Sequence, residues 1–130
     1  MNIKIAKLIL SLKNAAKIKQ IRTLISFNRT NLLVLTLLYN EGLIQSFTLK
    51  KIKNKAHVIQ VFLRYSEGKD VLASLKLISK PSLSKYFSYF ELCCLSNKFF
   101  FGALSTDKKI ISLSDSKKSR VGGQFLFLCV

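Results

Sequence analysis

The side chains in this chain best suited to acid–base or metal chemistry are six carboxylates, one histidine and three cysteines. Their positions do not suit them to work together. Glu41, Glu67, Asp70, Glu91, Asp107 and Asp115 are scattered along 130 residues, and His57 is the only imidazole. A catalytic centre needs an acid, a base or an activated nucleophile converging on one point, so no enzyme is expected. His57 opens an expected strand and reads as a structural side chain. Cys93, Cys94 and Cys129 are odd in number and lack Cys-x-x-Cys spacing, which argues against a disulfide framework and against zinc. As neighbours in a strand, Cys93 and Cys94 are expected to face opposite sides and pack as small apolar groups. Glu67-Gly68-Lys69 lacks the glycine spacing of a phosphate loop. No cofactor and no metal are expected.

What remains is non-covalent binding, and charge sets its sign. Lys and Arg number 22 against six Asp and Glu, leaving a net charge of +16. Met1 to Asn40 holds Lys4, Lys7, Lys13, Lys17, Lys19, Arg22 and Arg29 with no acidic residue. Such an excess repels itself in a compact body unless a polyanion absorbs it. Nucleic acid is the first candidate and an anionic membrane surface the second. The 49% apolar content suffices for a folded core. The most apolar uncharged stretch, Leu32 to Tyr39, falls far short of the roughly 20 residues of a bilayer crossing.

The elements that would position a binding surface follow from periodicity. Ile5, Leu8, Ile9, Leu12, Ala15 and Ala16 recur at threes and fours, which predicts a helix ending before Lys19 with Lys7, Lys13 and Lys17 on its other face. That face is either merely solvated or turned toward RNA. Asn28 can cap a second helix reaching Asn40, with Gly42 as its stop. Leu43 to Phe47 reads as a short strand and Lys50 to Lys55 as a basic turn. Val58–Tyr65 and Val71–Ile78 read as two strands of a hairpin turning at Ser66-Glu67-Gly68-Lys69. Pro81, the only proline, marks a boundary. Beyond it Phe99–Leu104 reads as a buried strand, Ser112 and Asp115 have capping-box spacing for a short helix toward Arg120, and Gln124 to Leu128 reads as a final strand.

Three polar islands punctuate the second half: Ile78-Ser79-Lys80-Pro81 with Tyr86, Leu104-Ser105-Thr106-Asp107-Lys108, and Val121-Gly122-Gly123-Gln124. Their order and spacing resemble the family of small ribosomal subunit protein eight. The similarity runs without gaps from Ile78 to Phe125 and includes Glu91-Leu92 and Asn97. A weaker likeness covers the first half through Leu12-Lys13-Asn14-Ala15, Glu41-Gly42-Leu43-Ile44, Tyr65 and Gly68-Lys69.

The resemblance implies an α+β fold of two small lobes, residues 1–78 and 79–130. The first would be a helix-helix-strand-hairpin unit. The second would be mostly antiparallel β with a short helix, and would bind RNA. It implies a structural constituent of the small ribosomal subunit that binds the central domain of small-subunit ribosomal RNA, supports assembly and translation, and lies beside other ribosomal proteins. The residues it places on RNA are Ser105, Thr106, Asp107, Lys108, Lys109, Tyr86, Lys85, Lys80, Gly122, Gly123 and Gln124, with Lys13, Asn14 and Lys17 on the first helix. Small hydroxyls suit such contact because they donate and accept without holding the RNA away. Lys108 and Lys109 would supply phosphate attraction, and Tyr86 a stacking surface or a hydroxyl donor. Gly122-Gly123 would leave bare backbone for close approach. Structural alternatives stand beside these: a plain turn for the glycines, a core position for Tyr86, a strand end for Ser105-Thr106.

The chain departs from the family pattern at Lys98 and Phe100, where glycines are usual, at Ser82 after Pro81, and at Asp107, whose carboxylate phosphate would repel unless Lys108, Lys109 or a metal screened it. The rival class is a basic membrane-surface or protein-interaction module using the first helix. Abundant Lys, Ile, Leu, Phe, Asn and Ser suggest an AT-rich organellar genome and a mitochondrial ribosome, with plastid or bacterial cytoplasm as alternatives. Ile3 to Arg22 also has the character of a mitochondrial presequence, though the resemblance favours an ordinary first helix.

Overall fold

The computed structural model describes residues 3–51, 57–65, 71–79, 82–95, 101–106 and 109–129. Helix α1 (Ile3–Lys17) buries Ile5, Leu8, Ile9, Leu12, Ala15 and Ala16, the stripe its periodicity marks. Leu10 and Ile18, which lie off that stripe, are exposed. After α1 the chain turns through Lys19 at φ 57° and enters β1 (Arg22–Ser26). Helix α2 (Arg29–Asn40) starts where expected, with the Asn28 side-chain oxygen accepting from the Asn31 amide at 2.8 Å. It closes as the Leu43 amide reaches back to the Leu38 carbonyl at 2.9 Å around Gly42, φ 77°.

The first sheet has the order β1-β3-β2, with β2 (Ile44–Lys51) and β3 (His57–Leu63), and all its pairings are antiparallel. Two expectations are corrected here. Strand β1 was not anticipated, because only Ile25 of its five residues is buried and Leu24 faces solvent, leaving no apolar alternation to read. The hairpin joining Val58–Tyr65 to Val71–Ile78 does not form. Both edges of β3 are taken, so Val71–Ser74 coils into a 3-10 turn and β4 (Leu75–Leu77) pairs in the other sheet. The turn expected at Ser66 to Lys69 lies outside the described residues, as do Ile52 to Lys55 of the basic turn, while Lys50 and Lys51 extend β2.

The second sheet is built on β8 (Gly123–Cys129). Along one edge β8 takes β5 (Tyr86–Phe87) and then β4; along the other it takes β6 (Phe101–Ser105), which in turn pairs with β7 (Ile110–Ser112). Lys98, Phe99 and Phe100 lie outside the described residues. Helix α4 (Leu113–Ser119) begins where its capping spacing predicts, the Ser112 hydroxyl accepting from the Asp115 amide at 3.2 Å. Helix α3 (Tyr89–Leu95) corrects the strand reading of the cysteines: Cys93 and Cys94 ride on it and both are exposed. A signal for α3 was present in Ser88-Tyr89-Phe90-Glu91. The Ser88 hydroxyl accepts from the Glu91 amide at 3.4 Å and lies 3.3 Å from the Glu91 carboxylate, the spacing of a capping box.

The fold is α+β. Strand β4 lies on the N-terminal side of residue 78 yet is hydrogen-bonded to β8. The larger apolar cluster likewise joins Leu8, Leu12 and Leu35 of the helices to Phe101, Ala103 and Phe127 of the second sheet. A smaller cluster gathers Leu92, Leu104, Ile111, Leu113 and Phe125 beneath α3 and α4. Among the described residues no helix is long and apolar enough to cross a membrane.

Candidate nucleic-acid interface

Strand β8 cannot carry two partners on one edge unless the chain between them is held down, and the first polar island does this. Ser79 is fully buried, its hydroxyl donating to the Phe125 carbonyl and accepting from the Lys85 amide at 3.1 Å. The Ile78 amide donates to the Leu126 carbonyl at 3.0 Å, and the Phe125 amide to the Lys85 carbonyl at 3.0 Å. Ser79 therefore acts on the fold, spanning the break between β4 and β5 so that Tyr86 arrives at a set register.

That register assembles the site. Tyr86 lies opposite Gln124, Gln124 opposite Ser105, and Ser105 opposite Ile110. Residues directly opposite across a sheet share a face. Phenol, amide and hydroxyl thus form one cross-strand row spanning about 10 Å at ordinary strand spacing. The row lies in a concavity of about 600 Å³ lined also by Thr106, Lys109, Gly122 and Gly123. Seven residues expected at the interface, six from the three islands and Lys109 just beyond the second, meet there. Tyr86 is 71% exposed, so it is not a core residue. Ile111, Ser119 and Val121 complete the lining; Val121 belongs to the third island, and none of the three was among the residues expected on RNA. They arrive because β7 runs beside β6, and because α4 ends at Arg120 in the left-handed conformation, φ 55°, turning the chain back to Gly122.

The two hydroxyls of the second island differ in employment. That of Thr106 donates to the Lys109 carbonyl at 2.9 Å and accepts from the Lys109 amide at 3.3 Å, while the Thr106 amide donates to the same carbonyl at 2.9 Å. Thr106 clasps the β6–β7 loop. Ser105 lines the groove and makes no side-chain hydrogen bond to any described residue. The Gln124 amide nitrogen is buried in the same row without a partner among the described residues, a donor left costly until an acceptor arrives.

The glycines serve the chain's own approach. A Cβ on Gly122 would sit 2.5 Å from the Phe87 carbonyl oxygen, and one on Gly123 would sit 2.5 Å from that of Ser105. Both obstacles are backbone. Gly123 thus lets β8 close against Ser105, and Gly122 lets the turn lie against the β5–α3 junction.

Lys109, Lys85, Lys118 and Arg120 are exposed around this end of the sheet. The Tyr89 phenol, on α3, has its pKa raised chiefly by its hydrogen bond to Cys93 and by the Coulombic effect of that thiol; Arg120 acts in the opposite sense. Lys13, Asn14 and Lys17 sit on α1 and do not line the groove. Lys80, Asp107 and Lys108 lie outside the described residues. No group of three or more potential metal ligands occurs among the described residues.

Residues 4–129 match the family model described as Ribosomal protein S8. The chain belongs to that family. Among curated relatives it is 30% identical to "Small ribosomal subunit protein uS8c" of Bigelowiella natans, over 95% of each chain. It is 32% identical to "Small ribosomal subunit protein uS8" of Xylella fastidiosa (strain M23) and 29% identical to that of Buchnera aphidicola subsp. Cinara cedri, over 94% of this chain and 92% of each relative. As an S8-family member it is a structural, non-enzymatic protein of the small ribosomal subunit, and its partners are ribosomal RNA and neighbouring ribosomal proteins. A ribosome of organellar or bacterial type fits these relatives.

Proposed function

We propose that the groove at Tyr86, Gln124 and Ser105 grips a stem in the central domain of small-subunit ribosomal RNA and holds it during assembly. The observation that carries this reading is the cross-strand row, whose Ser105 hydroxyl and Gln124 amide nitrogen have no partner among the described residues and whose phenol is exposed, under a net charge of +16. Double-stranded RNA offers a wide, shallow minor groove displaying 2′-hydroxyls and base edges, and short polar side chains on a sheet end reach such a surface. Lys109 and Lys85 supply phosphate attraction beside the row; the sequence assigns the same part to Lys108 and places Lys80 on RNA. Lys13, Asn14 and Lys17 on α1 add contact that is indifferent to sequence. In this division of labour residues 79–130 recognise and residues 1–78 add affinity.

Binding of the full chain to a central-domain stem, an arbitrary duplex and anionic vesicles tests the reading. The stem is expected to bind most tightly, and Lys109→Ala to lower the salt slope of log K by about one while leaving the preference for the stem intact. Tight vesicle binding with no preference among RNAs sinks it in favour of a membrane-surface module. The amino-acid usage, of the kind expected from an AT-rich organellar genome, further supports a mitochondrial ribosome as the home of this protein. Its recovery in purified plastid or bacterial small subunits instead would overturn that assignment.

A further inference from the structure

Phe90 is the most exposed large apolar residue among those described, 78% accessible on the first turn of α3. A structural role does not account for it. Phe87, three residues earlier, is partly buried and meets Phe125 edge-to-face with ring centroids 5.5 Å apart, whereas the Phe90 ring lies 5.6 Å from that of Tyr89 and is otherwise mostly in water. Its place in the fold is specific. It follows Tyr86 by four residues, and Ser88, between them, lies against Gly122 in the groove wall. Tyr86 and Phe90 are thus two exposed rings on either side of the β5–α3 junction.

The charged groups on the elements around that junction are Lys85 before β5, Glu91 on α3, Asp115, Lys117 and Lys118 on α4, and Arg120 at its end. Cations outnumber acids, and the Glu91 carboxylate lies beside the Ser88 hydroxyl at the start of α3. An exposed ring in a cationic field matches an unpaired nucleotide, whose base stacks while its phosphate meets the charge. The net charge of +16 and the excess of cations around the two rings favour a polyanion over a protein as the partner.

We infer that Phe90 is a second stacking platform, receiving an unpaired base that bulges from, or flanks, the RNA stem held in the groove. This deepens the proposed groove reading and rests on it. The test uses the full chain and central-domain stems that each carry 2-aminopurine at one unpaired position. One position is expected to be quenched on binding. Phe90→Ala is expected to restore its fluorescence and weaken binding about tenfold, within the usual range for base–aromatic stacking; Phe90→Tyr is expected to retain both. A urea midpoint equal to wild type confirms that the exposed substitution leaves the fold intact. If the wild-type chain binds the stem and Phe90→Ala matches it in affinity and fluorescence, the inference fails alone. Loss of a neighbouring protein from reconstituted subunits with RNA binding unchanged also overturns it, by making Phe90 a protein contact. If wild type prefers no stem, the groove reading falls and takes this one with it.

Discussion

Ser105 and Thr106 are adjacent hydroxyls in one motif, yet the structure assigns them different work, and removing each should reveal it. Thr106→Ala deletes a hydroxyl that donates to and accepts from the backbone of Lys109 at 2.9 and 3.3 Å. Net contributions of about 0.5–1.5 kcal/mol per hydrogen bond, taken at the low end because the loop is open to water, give a loss of about 1 kcal/mol. For a chain of this length that is a fall in Tm of about 4 °C. Ser105→Ala removes a hydroxyl with no partner among the described residues and should leave stability within about 0.5 kcal/mol of wild type. If Ser105 makes one hydrogen bond to RNA worth about 1 kcal/mol, affinity for the cognate stem falls roughly fivefold with an unchanged salt slope. Urea unfolding of the free protein and stem titration at two salt concentrations give both quantities. Thr106→Ser keeps the clasp and should recover the stability lost in Thr106→Ala. The reasoning is refuted if Ser105→Ala destabilises the free protein as much as Thr106→Ala does. Full stem affinity for Ser105→Ala, with affinity lost at unchanged stability for Thr106→Ala, would refute it equally.

Two further outcomes follow from the same row. Gly122→Ala and Gly123→Ala each place a Cβ 2.5 Å from a backbone oxygen, so each should cost about 1–3 kcal/mol of stability in urea; wild-type midpoints would show that the glycines matter only to the ligand. Gln124→Met removes a buried amide nitrogen without a described partner. The free protein should be as stable as wild type or more so, while stem affinity falls. A loss of more than about 1 kcal/mol in the free protein would mean that the amide is satisfied there.

Much of the local structure was legible because its causes lie within a few residues of each other. The stripe of α1, the Asn28 and Ser112 caps and the Gly42 stop are contacts within one or two helical turns, and each stands where spacing places it. Helix α3 was legible too, in Ser88 and Glu91, but the apolar run around Cys93 and Cys94 reads equally well as a strand. Strand β1 has one buried residue and carried no pattern. Val71–Ile78 has the composition of a strand, but composition does not name a partner, and the structure gives Leu75–Leu77 to β8 and not to β3.

Residue order therefore marked the family, through the three islands, and named the side chains that are candidates for RNA contact. Only the tertiary structure decided what each island does. Pairing along β8 brings Tyr86, Gln124 and Ser105 into one row although 38 residues separate the first from the second in the chain. It also turns Ser79 inward as a tie, gives Thr106 to its own loop and makes the glycines contact points between strands. The physical reason is that a strand's register depends on which edges its neighbours leave open, and that is a property of the whole sheet.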